Sequence, residues 1–142
     1  MKDESTLLEV QMEVGNLMQD LSSRIDNVYD KYTIAGDIPK LPPFEKLRDD
    51  KTRYECSRVL TDCVDELNEM KLRVSLLSRE LYQYQNFQPS SKTEYMVATK
   101  FKESIKDSIE TLTQYRFDLD SLVRNANSKL KVLEMANYFD LQ

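Results

Sequence analysis

The stretch CSRVLTDCVDELNEMKLRVSLLSRELYQY, Cys56 to Tyr84, decides the fold. Within it Cys56, Leu60, Cys63, Leu67, Met70, Val74, Leu77, Leu81 and Tyr84 follow one another at alternating steps of four and three. That alternation averages close to one helical turn, so it keeps a single apolar line on one side of an α-helix and predicts a coiled-coil core seam. Val59, Val64 and Leu76 widen the seam, as in a helix that touches more than one neighbour.

Two breaks bound this helix. Ile34–Pro43 holds one of the two glycines and three of the four prolines, and Asn86–Ser91 holds the remaining proline. Helices are therefore predicted over about 6–33, 43–86 and 92–138, in one helical domain with a Pro-rich linker at 34–43 and a short loop at 86–91. Thr6 with Glu9, and Ser91 with Glu94, have the spacing of capping boxes, and Pro43 suits a first helical position, where its missing N–H costs nothing.

The first helix offers Leu7, Val10, Val14, Leu17, Leu21, Ile25, Val28 and Tyr32, with a doubled step of four at Leu17–Leu21–Ile25 that reads as a stutter. The third offers a seam from Ala98 and Phe101 through Ile105, Ser108, Leu112, Tyr115, Leu119, Leu122, Ala126 and Leu130 to Leu133. Beside it run Ile109, Val123 and Val132. At 1.5 Å per residue the first helix is about 40 Å long and the other two about 65–70 Å. The expected fold is all-α: an elongated antiparallel three-helix bundle or coiled coil, with a short helix 1 and a long helix 2–helix 3 hairpin. On these lengths helix 1 covers only the open end of the hairpin, leaving residues 73–110 with two helices.

Composition excludes most chemistry. Among 142 residues there is no His and no Trp, and there are two Gly. Without His there is no Ser-His-Asp or Cys-His pair, and without a Gly-rich loop there is no phosphate cradle. No enzyme, metal site or cofactor is expected. The two cysteines lie seven residues apart on one helix, about 10.5 Å along its axis, too far to bridge each other, and read as small core residues. Asp62, Asp65, Glu66 and Glu69 form an acidic row without the Glu-x-x-His pairs of a di-metal bundle, so they read as a solvated face able to orient a basic partner.

Charge adds exclusions. Lys plus Arg is 20 against 25 for Asp plus Glu, a net charge of −5 with no long basic face, so nucleic-acid binding is not the expected main role. No run approaches the ~20 apolar residues of a membrane span. With no disulfide framework and no apolar leader at the start, the expected location is a reducing intracellular compartment, cytoplasmic or nuclear.

Apolar residues reach only 40% even with Tyr counted, short of the ~45–50% typical of globular domains, while charged residues reach 32%. A seam this thin suggests partner helices. Tyr82, Phe87, Tyr95 and Met96 cluster around the second break and are the expected partner-binding residues, with Tyr84 and Phe101 facing inward as an aromatic plug. Pro39-Lys40-Leu41-Pro42 matches P-x-x-P but reads as a stiff linker, with Ile38, Leu41 and Phe44 stapling it to the bundle. The expected function is a non-enzymatic coiled-coil scaffold subunit of a helical hetero-oligomer. Small elongated subunits of this architecture occur in kinetochore and spindle complexes, vesicle-associated octamers and mediator modules, and no motif selects among them. The alternative is a self-contained three-helix regulatory domain binding a peptide or helix, as in membrane-fusion regulation. The unequal helix lengths count against it.

Overall fold

A computed structural model describes the backbone of residues 4–86 and 92–140 and the side chains of 7–85 and 96–136. The protein is an all-α three-helix bundle in which the second and third helices pack closely. Helix α1 spans Glu4–Tyr32 (29 residues), α2 spans Asp50–Tyr82 (33 residues) and α3 spans Lys92–Asp140 (49 residues). Single 3-10 turns, Lys46–Arg48 and Gln83–Asn86, lie on either side of α2.

The α2 seam is buried from Leu60 through Cys63, Leu67, Met70, Val74 and Leu77 to Leu81, and half-buried at its ends, Cys56 and Tyr84. In α3, Ala98, Phe101, Ile105, Leu112, Leu119, Leu122, Ala126 and Leu133 are buried, and so are Ile109 and Val123 from the neighbouring line. Val132 instead faces solvent. Two apolar lines on one helix are what α3 needs to pack against both α1 and α2.

The bundle divides into two compact units. The first joins α1 as far as Arg24 to Lys71–Phe117. Leu7, Val14, Leu21, Val74, Leu77, Leu81, Phe101, Ile105 and Leu112 are among its buried residues. Tyr84 meets Phe101 edge to face, with ring centroids 5.6 Å apart and planes at 88°, the arrangement ring quadrupoles favour. The second unit joins Ile25–Met70 to α3 from Asp118 onward. Ile25, Val28, Tyr32, Leu67, Leu119, Leu122 and Ala126 are buried within it.

This division corrects the expectation of a two-helix stretch at 73–110. That stretch shares its unit with α1 as far as Arg24, and Leu7, the first described side chain of α1, is buried. The cause is where α1 ends: Lys31 of its last turn pairs with Glu66, 16 residues past the start of α2, and the linker, not α1, runs along the first turns of α2. The start of α2 also moves. Asp49, not Pro43, precedes the helix: Asp49 Oδ2 accepts a 2.8 Å hydrogen bond from the Thr52 hydroxyl. The Thr52 bond first, then the backbone N–H groups of Lys51 and Thr52, hold the Asp49 carboxyl below its ordinary range, as an N-cap should. Pro43 opens a turn, accepting at its carbonyl from Lys46 N (2.9 Å) and Leu47 N (3.2 Å). The helix is thus seven residues shorter at its start, and α1 and α2 come out nearly equal.

Two local expectations for α1 also change. The helix already includes Glu4, so Thr6 lies within its first turn rather than capping it. The Ser91 box, by contrast, lies outside the described residues. Leu17 is exposed, and Gln11 and Met18 are half-buried in the line Leu7, Gln11, Val14, Met18, Leu21, Ile25, Val28, Tyr32. That line steps by fours and threes without a stutter.

Candidate functional site

In the second unit α1 contributes only Ile25–Tyr32, about 12 Å of helix, whereas α2 contributes Asp50–Met70, about 31 Å. Beyond Tyr32 the third position is taken by the linker. Thr33 ends α1: its N–H and its hydroxyl both donate to Tyr29 O, at 2.8 and 2.6 Å. Ile34 and Asp37 then exchange backbone hydrogen bonds of 2.9 and 3.2 Å across Ala35 (φ 54°) and Gly36 (φ 85°). Two positive φ values in succession make a type I′ turn, which Gly36 adopts freely and Ala35 only with strain.

After the turn, Ile38 is buried and Leu41 and Pro42 are half-buried. Phe44 departs from the predicted staple. It is exposed, with the Arg48 guanidinium 5.7 Å from its ring centroid, and Leu47 takes the buried place. Arg53 secures this corner from inside. Its Nη1 donates to Leu47 O at 2.6 Å and its Nη2 pairs with Asp50 Oδ1. A buried guanidinium is tolerable only when its donors are satisfied in this way.

Between the linker and α2 lies an open groove of about 440 Å³. The last turn of α1 closes one end at Asp30, Lys31 and Tyr32. One wall is linker, chiefly Ile38, Pro39, Leu41 and Pro42; the other is α2, through Cys56, Val59, Leu60 and Cys63. Ile34 and Val59 remain exposed at its rim. The walls are mostly apolar, and Glu55 and Lys40 stand at the edges.

Electrostatics around the groove come from the end of α1 and the acidic row of α2. Lys31 Nζ lies 3.4 Å from Glu66 Oε1 and 5.1 Å from the centroid of the Tyr32 ring. Tyr32 and Glu66 together raise the Lys31 ammonium pKa. Burial, and after it the Glu66 carboxylate, raises the Tyr32 hydroxyl pKa. Burial, with Glu66 as the lesser cause, pushes the Cys63 thiol up to about 11, and burial with Glu55 raises Cys56. Both cysteines are free, and both stay protonated and weakly nucleophilic at neutral pH. Among the described residues no three His, Cys, Asp or Glu side chains come together as metal ligands.

Of the predicted partner-binding residues, Tyr82 and Met96 are exposed, while Phe87 and the Tyr95 side chain lie outside the described residues. The structure adds apolar pairs at helical spacing on the outer faces: Leu8 with Met12 on α1, Leu72 with Leu76 on α2, and Val132 with Met135 on α3. Each pair is exposed, and spacings of three or four place its members side by side. Their sequence signal is apolar residues at helical spacing off the main seam, and only Leu76 and Val132 stand out that way without coordinates.

No protein-family model matches this chain, and neither a curated protein nor a solved structure is similar to it. Among the described residues no helix is long and apolar enough to cross a membrane.

Proposed function

We propose that this chain is a non-enzymatic helical subunit of a multi-protein assembly, working through helix–helix association. The observation that carries this reading is the set of exposed apolar pairs, one on each helix, in a chain that is 32% charged. Adjacent exposed Leu, Met and Val side chains form small apolar patches that a partner helix can bury as anchors. Two free thiols support a reducing intracellular compartment. Kinetochore or spindle, vesicle-associated and mediator-like complexes remain the architectural analogies.

A second reading, a self-contained three-helix regulatory domain that binds a helix or peptide, gains support from the groove in the second unit and from the similar lengths of α1 and α2 (29 and 33 residues), while α3, at 49 residues, still counts against it. Both readings assign the chain to helix recognition. They differ in whether partners complete its fold.

The test is native affinity isolation of the tagged chain from its cells of origin, with the wild type beside Leu72→Glu/Leu76→Glu and Val132→Glu/Met135→Glu variants. All four side chains are exposed, so circular dichroism should stay unchanged. The reading expects stoichiometric partner chains with the wild type and their loss from at least one variant. Recovery of the wild type as a lone monomer overturns it.

A further inference from the structure

We draw no further inference here: the strongest candidate, the exposed Leu72–Leu76 pair on the outer face of α2, carries nothing beyond the association reading, because Glu69, Arg73, Arg79 and Glu80 surround it with both signs of charge and nothing in the structure shows what covers it.

Discussion

Leu7 and Leu8 make a matched test of how α1 packs. They are chemically identical neighbours in one helical turn, yet Leu7 is 1% exposed and Leu8 is 51% exposed. Each Leu→Ala change alters helix propensity by the same small amount, so the difference between them isolates tertiary burial. Leu7 shares its unit with Leu81, Phe101 and Ile105, all buried. Truncating a buried leucine costs about 2–5 kcal/mol, and a site near a helix end relaxes enough to fall in the lower part of that range, about 2–3 kcal/mol. For a chain of this size 1 kcal/mol shifts the melting temperature by about 3–4 °C, so Leu7→Ala should melt about 6–12 °C lower. Leu8→Ala should stay within about 0.5 kcal/mol of the wild type. Urea and thermal denaturation followed by circular dichroism measure both, and amide exchange at Ala98–Ile105 should accelerate only in Leu7→Ala. Equal effects of the two substitutions, or no change at Ala98–Ile105, would refute the packing of α1 against this part of the hairpin.

Three further outcomes follow from particular residues. Leu67→Asp places an unpaired charge in the buried α2 seam and should cost more than about 3 kcal/mol, whereas exposed Asp65→Ala should shift the urea midpoint little. Ala35→Gly should stabilise by about 0.5–1 kcal/mol in denaturant melts by relieving the left-handed φ of 54°, and Gly36→Ala, at φ 85°, should destabilise. The Cys63 thiol, near 9 ordinarily and about 11 when folded, ionises in the unfolded chain first. Stability should therefore be level below about pH 9 and fall by up to about 2–3 kcal/mol as pH rises toward 11, and Cys63→Ala should flatten that slope in pH-dependent melts.

The α2 seam was legible because nine residues keep the spacing without a break, and burial follows spacing when a helix has one main contact line. The Tyr84–Phe101 contact was legible for the same reason, since both residues lie on their own seams beside the turn. Leu17 misled because apolar character was weighed above register: a regular heptad carries Gln11 and Met18 inward at half burial and leaves Leu17 outside. Pro43 misled because a proline is compatible with a helix start without compelling one, while Asp49 and Thr52 supply hydrogen bonds that fix the start. Residues 73–110 share their unit with α1 because α1 ends opposite Glu66, 16 residues into α2, rather than at the start of α2. The groove was not legible at all. It exists because α1 ends at Tyr32 and a type I′ turn folds the linker back along α2, a three-dimensional event that no spacing in the linker announces.

Helix association on the outer apolar pairs is tested most directly by cross-linking mass spectrometry of the complex isolated natively from the cells of origin. Lys71 adjoins Leu72, and Lys131 adjoins Val132, so lysine-reactive cross-links report on two of the three pairs without any mutation. The prediction is stoichiometric partner chains whose links to this protein concentrate at Lys71 and Lys131, in segments of the partners with helical apolar periodicity. Recovery of a lone monomer, or partner links confined to Lys100, Lys102 and Lys106 with none at Lys71 or Lys131, would contradict it.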